Sequence, residues 1–304
     1  MEKIISCINK KGGCAKTTTL MALADGLAIR GKRILVVDLD SQMNMSIGYG
    51  NFHLSDHSIY DVLCNKGFDI NDAIYRVPQD YFGELDVKGS IDIIPANAYV
   101  DRLQKELDGM MRKEERLLRS LQKLDPNKWD YILIDTAPLP VTDIVITNVM
   151  VASDEILVPT KLELFSSTGV ELILPRIEQL VEEEINPDLK INGILCTQVI
   201  GRRKNTNGGV YQNLLEYANA KGIRVYDTYI RNLEGVVSSQ INRKSLFVPK
   251  TYVRKVTKKD GTVVEKTLSS QTEIAKDYNG FIDEFLGTGD IKWVAEADFL
   301  LEMQ

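Results

Sequence analysis

The sequence predicts an α/β fold, a mostly parallel twisted sheet with helices on both faces. Short runs of aliphatic and β-branched residues alternate along the chain with longer amphipathic stretches, which is the order of parallel strands and crossover helices. The 304 residues, 44% of them apolar, also suffice to bury one large core without a second independent unit. The first strand is expected at 4–8, a continuous apolar run, and the helix at 18–30 follows from Leu20, Met21, Leu23 and Leu27 with their intervening alanines. Further strands are expected at 33–37, 91–94, 131–134, 155–158, 191–196 and 224–226. Helices are expected at 101–124, 143–151, 168–184, 210–220 and 272–285, with no internal repeat or low-complexity tract between them.

One segment breaks this alternation. In 251–268, β-formers flank Asp260-Gly261, a two-residue hairpin signal. Pairing about that turn sets Lys255 opposite Lys266 and mixes polar and apolar residues on both faces, so an exposed ribbon inserted at 250–268 is expected. The organisation that follows is a single domain over 1–287, including the ribbon, and a tail at 288–304.

Composition narrows the class. No apolar run approaches the roughly 20 residues that span a bilayer, and no basic leader precedes an apolar stretch, so a cytoplasmic protein without a membrane role is expected. Cys7, Cys14, Cys64 and Cys196 are scattered without a C-x-x-C pair, against a zinc ribbon or a disulfide framework. Cys7 and Cys196 read as small core hydrophobes. A net charge of −6 excludes a uniformly basic chain, leaving local patches as the unit of interest.

Between the first strand and first helix lies Asn9-Lys10-Lys11-Gly12-Gly13-Cys14-Ala15-Lys16-Thr17-Thr18-Thr19. Glycines at such a turn let backbone N–H groups converge on phosphate oxygens, and the helix N-terminus adds its dipole. Lys16 then supplies charge near the β/γ-phosphates, and the Thr17 hydroxyl is placed for Mg²⁺. Lys10 and Ala15 stand where the ordinary G-x-x-x-x-G-K-[ST] loop has glycines. A methyl at 15 is harmless if that residue has negative φ and costs of order 1 kcal/mol if φ is positive. Two other apolar strands end in acids, Val36-Val37-Asp38-Leu39-Asp40 and Tyr131-Ile132-Leu133-Ile134-Asp135, at the sheet edge where ligands of open α/β folds bind.

Lys11, five residues before Lys16, makes K-G-G-x-x-K-T-T, which resembles the deviant Walker A loop of the ParA/MinD ATPases. The resemblance covers most of 1–246 and resumes near 269–285. It implies a P-loop NTPase fold, ATP and Mg²⁺ as cofactors, and an ATP-dependent sandwich homodimer in which Lys11 reaches the partner's phosphates. It also carries Lys11, Gly12, Gly13, Cys14, Ala15, Lys16, Thr17 and Thr18 over as nucleotide contacts. Asp40 falls in a segment similar to the family's D-x-D-P-Q-x-N, with Ser41 in place of Pro, and is implied to orient the attacking water beside the metal. Asp135 matches the acid that holds Mg²⁺ through water, Thr17 being the other metal residue. Gln198, Arg231 and Asn232 fall where relatives border the base, although surface-loop polarity accounts for them as well.

Three branches of the family differ in what the dimer grips. The tail Asp290–Glu302 is amphipathic but acidic, unlike the basic lipid-binding helix of MinD-type chains. Iron-protein relatives need cysteines flanking the acid-tipped strand, and none lies between Cys64 and Cys196. The ParA branch implies a nucleoid-associated ATPase that binds duplex DNA non-specifically and is stimulated by a ParB-type centromere-binding partner to segregate a plasmid or similar replicon. Two basic clusters suit DNA: Arg202, Arg203 and Lys204, and the ribbon region with Arg243, Lys244, Lys250, Arg254, Lys255, Lys258, Lys259 and Lys266. Lysines also keep exposed ribbons from pairing edge to edge. A MinD-like positioning ATPase acting on a membrane or protein cargo, and a nucleotide-locked scaffold without turnover, stay open as alternatives.

Overall fold

Strand β1 (Lys3–Cys7) lies inside an eight-stranded sheet in the computed structural model, which describes residues 2–53, 56–162, 168–199, 207–231, 243–257, 263–270 and 272–288. The other strands are β2 (Arg33–Leu39), β3 (Tyr75–Arg76), β4 (Ser90–Ile94), β5 (Tyr131–Thr136), β6 (Glu155–Lys161), β7 (Lys190–Val199) and β8 (Ile230–Arg231). Their order is β3-β4-β2-β5-β1-β6-β7-β8, and every pair is parallel except β3 with β4 at one edge. The central position of β1, between β5 and β6, places the loop that follows it at the middle of the sheet's carboxyl edge.

Alternation along each strand divides the core in two. Ile34 and Val36 of β2 pack with Ile5, Cys7 and Leu133 beneath α1 (Lys16–Ile29) and the last described helix, Glu273–Leu286. Leu35 and Val37 face the opposite side with Ile132 and Ile134. That second face is covered by α3 (Ile59–Cys64), α4 (Leu103–Asp108), α5 (Arg116–Leu121), α6 (Ile144–Ala152), α7 (Thr168–Glu182) and α8 (Asn207–Ala220), while α2 (Asn44–Tyr49) joins the first face; the Glu273–Leu286 helix is therefore α9. Both faces are covered, which is why the central strands read as continuous apolar runs.

The expected helix at 101–124 is instead two short helices, α4 and α5, separated by residues 109–115, the last three of which form a 3-10 turn (Lys113–Glu115). Leu103, Leu107, Leu117 and Leu121 are all buried. In one continuous helix the step from Leu107 to Leu117 would rotate the second pair about 80° off the first. A break in which Arg112 takes φ 54° and Met111 stays 91% exposed restores their common direction. The strand expected at 224–226 is reduced to a single bridge, Val225 with Ile194, and the pairing is made farther on by β8.

The ribbon is present as β9 (Lys250–Thr257) and β10 (Val263–Ser270), with one correction. Thr257 pairs with Val263, so the register is slipped by one residue from the one expected for a two-residue turn. Lys255 therefore stands opposite Glu265, not Lys266. The like-charged pair is Arg254 with Lys266. Among the described residues no helix is long and apolar enough to cross a membrane.

Candidate phosphate-binding site

The loop between β1 and α1 is tied by hydrogen bonds to three neighbouring strands. Asn9 is buried; its Nδ2 donates to the Pro159 carbonyl on β6 at 2.8 Å and its Oδ1 accepts from the Lys11 amide at 2.9 Å. Thr197 and Gln198 at the end of β7 donate to the carbonyls of Cys14 and Gly13, at 3.0 and 2.8 Å. From β5, the Thr136 hydroxyl donates to the Cys7 carbonyl at 2.8 Å. The Gly13 and Cys14 carbonyls are thereby tied back to the sheet. Ala15, the N-cap of α1, supplies no side-chain cap, so the first helical N–H groups are left for an external acceptor.

Two residues of the loop are left-handed, Gly13 at φ 69° and Ala15 at φ 66°, ψ 30°. The alternative that the sequence left open is thereby decided: the methyl at 15 sits where a Cβ crowds the following carbonyl. Ala15→Gly is expected to stabilise the fold by about 0.5–1 kcal/mol, the relief of left-handed strain less the extra chain entropy of glycine. The denaturation midpoint reads this directly, and a lower midpoint would show that the methyl makes contacts worth more than the strain.

Lys16 is buried at the start of α1, and its Nζ donates to the Asn9 carbonyl at 3.0 Å, arching back over the loop. Lys11 is exposed at the loop's crest, as are Gly12 and Gly13. The Cys14 thiol is buried and donates to the Lys11 carbonyl at 3.1 Å. Burial raises the Cys7 thiol far, and the Cys14 thiol to a lesser extent against the pull of Lys16, so both stay protonated and serve as packing.

The acids lie directly beside this loop. Cys7, Asp135 and Asp38 stand level across β1, β5 and β2. Asp38 accepts from the amides of Asp40 and Ser46 at 3.0 and 2.9 Å and from the Ser46 hydroxyl at 2.7 Å, so it organises the turn that carries Asp40 into α2. Asp40 is buried and accepts from the Gln42 amide at 2.9 Å. Asp135 is fully buried, and neither of its carboxylate oxygens has a well-formed hydrogen bond. Burial and then the neighbouring Asp38 push its carboxyl well above the usual range, against the pull of the Thr17 hydroxyl and Lys16.

An orphaned buried carboxylate is costly without a cation to meet it. The groups around it, the Asp38 and Asp40 carboxylates and the Thr17 hydroxyl, offer only oxygen, which suits a hard divalent ion. Among the described residues no group of three or more His, Cys, Asp or Glu side chains is placed to hold a metal ion by itself. That agrees with an ion such as Mg²⁺, which takes one or two carboxylates and completes its shell with water and phosphate oxygens.

Other expected site residues fall elsewhere. The Gln198 amide is engaged on Gly13, and its backbone is left-handed at φ 54°. Arg231 pairs with Asp277 at 2.6 Å and Glu273 at 3.2 Å on α9, contacts that raise its pKa further and occupy its guanidinium. Arg243 donates to the Asn51 side chain and Lys244 to the Asp80 carbonyl. Arg254, Lys255 and Lys266 lie on the ribbon. Asn232, Arg202, Arg203, Lys204, Lys258 and Lys259 lie outside the described residues. Asn9, Asp38 and Thr197 were absent from the expected site; the D-x-D spacing pointed to Asp38, whereas the ties made by Asn9 and Thr197 depend on strands far away in the chain.

Comparison with known proteins places the chain among relatives. A family model described as an AAA domain matches residues 2–191. The sporulation initiation inhibitor protein Soj of Bacillus subtilis strain 168 is 33% identical over 231 residues, 76% of this chain and 84% of that protein. The chromosome partitioning protein ParA of Caulobacter vibrioides is 30% identical over 230 residues, 75% of this chain and 80% of that one. A candidate plasmid partition protein of Borrelia burgdorferi B31, solved bound to AMPPNP, shares the fold with a TM-score of 0.68 at 21% identity, over 95% of this chain and all of that one.

Proposed function

Since the chain belongs to the ParA/MinD family of P-loop ATPases, we propose that it is a partition ATPase: ATP and Mg²⁺ join two subunits, the dimer holds duplex DNA without sequence preference, and a ParB-type partner stimulates hydrolysis. The observation that carries the nucleotide part is the fully buried, unpartnered Asp135 beside Thr17 and Lys16, at the end of a glycine-containing loop whose carbonyls are tied back to the sheet. Residues 1–287 form one ATPase domain in this reading. It works in the cytoplasm on the nucleoid.

Each residue then has a physical task. Lys16 places a fixed ammonium against the β/γ-phosphates, and the loop and α1 amides cradle them. Thr17 and Asp135, with Asp40 nearby, would hold a metal ion, which would supply charge neutralisation at the phosphates. Asp40 orients the attacking water from a backbone pinned by Asp38. Lys11, exposed at the crest, crosses to the partner's phosphates. Arg243 and Lys244, on the stretch leading into β9, and the basic positions of the ribbon contribute to the DNA face.

Duplex-DNA binding measured against salt with ATP, with ADP and without nucleotide tests the whole reading. ATP-dependent binding that ignores sequence and weakens steeply with salt is expected. Lys11→Ala should keep nucleotide affinity but lose both the ATP-dependent dimer and that DNA binding. Equal DNA binding in all three nucleotide states, or a dimer that survives Lys11→Ala in ATP, would overturn it.

A further inference from the structure

β6 flanks β1 on the side away from β5 and the acids, and it ends in Lys161. Cys7 stands level with Leu157, so Lys161 extends four residues past the base of the loop, beyond the Pro159 carbonyl that Asn9 grips. It pairs in register with Thr197, whose hydroxyl ties down Cys14. The Lys161 ammonium lies beside Gly13: a Cβ built there would stand 3.7 Å from Nζ. The same charge, with that of Lys16, acts on the Cys14 thiol.

No carboxylate among the described residues pairs with Lys161. The ammonium groups of Lys16 and Lys161 thus both lie against one short loop, with nothing nearby on β6 to offset the second. Like charges so placed repel until a polyanion enters among them. We infer that Lys161 is a third phosphate-binding lysine, one that grips the α/β end of the nucleotide's phosphate chain; this rests on the nucleotide reading above.

The side of the loop decides which phosphates it meets. Asp38, Asp40 and Asp135 lie on the β2/β5 side, where the residues that would hold a metal and position the attacking water are placed, so the reacting γ end belongs on that side. Lys161 is across β1, on the side of the α- and β-phosphates. Those groups are common to ATP and ADP. Lys161 therefore sets affinity for both and leaves the hydrolytic step to the residues on the other side.

The test is the dissociation constant of Mg-ATP and of Mg-ADP for the wild-type chain, Lys161→Met, Lys161→Arg and Lys16→Ala, with turnover at saturating ATP. Lys161→Met should weaken both nucleotides by a similar factor, about 5- to 30-fold for one partly exposed charge-assisted contact. Its turnover at saturation should stay within about twofold, and Lys161→Arg should hold both affinities within about threefold. Weakening of ATP alone would overturn the assignment, as would unchanged affinity for both nucleotides in Lys161→Met while Lys16→Ala abolishes binding. A wild-type chain that binds neither nucleotide would instead remove the nucleotide reading, and this inference with it.

Discussion

Asp40→Ala should leave ATP affinity within about threefold and lower turnover by at least about 100-fold, the loss typical when a residue that positions or activates the nucleophile is removed. The geometry separates the two effects. Nucleotide affinity is carried by the loop, whose shape depends on Asn9, Thr136, Thr197 and Gln198, and none of these touches Asp40. The turn that carries Asp40 is fixed by Asp38, which holds the Asp40 amide and both the amide and hydroxyl of Ser46. Removing the Asp40 carboxylate therefore deletes one interaction, that from the Gln42 amide, and leaves the turn in place. Loss of ATP binding in this variant, measured by titration calorimetry beside a turnover assay, would withdraw the hydrolytic role from Asp40. Asp38→Ala is the informative contrast, since it releases three hydrogen bonds at once and should damage folding before chemistry.

How far the sequence revealed this site follows from where each constraint originates. β1, β2, β5, β6 and β7 were legible because strands covered on both faces are written as unbroken apolar runs. The loop, Asp40 and Asp135 were legible because each follows such a run directly. The two-residue edge strand β3 and the six-residue helices α2 and α3 carry too few residues for either periodicity to show. The left-handed φ of Ala15 was undecidable locally: its neighbours Gly13 and Cys14 are held by Thr197 and Gln198, more than 180 residues away. The ribbon shows the same limit at short range. Asp260-Gly261 pointed to the ribbon, but the observed register is slipped by one residue from that of a two-residue turn there, which exchanged Lys255's partner from Lys266 to Glu265.

Asp25 is expected to make stability fall as the pH rises from about 4 to about 7. It lies fully buried in the middle of α1, where it accepts hydrogen bonds from Tyr49 at 3.0 Å, Tyr81 at 2.9 Å and Ser245 at 2.7 Å. Burial outweighs these three donors and pushes its carboxyl from 3.8 up to about 7. Between those values the folded chain holds a proton that the unfolded chain has released, so raising the pH through the window favours unfolding; above it both states are ionised and the effect levels off. The full span corresponds to about 4 kcal/mol. Asp25→Asn keeps an acceptor for the hydroxyls without the charge, so it should match the wild type near pH 4 and exceed it at pH 8. The difference between the two denaturation profiles isolates Asp25 from every other titrating group, and parallel profiles would show that its carboxyl does not hold the proton. Tyr49 ends the helix that follows the Asp40 turn, and Ser245 lies five residues before β9. The same titration should therefore speed amide exchange in these two stretches together as the pH rises from about 4 to about 7, after correction for the intrinsic pH dependence of exchange.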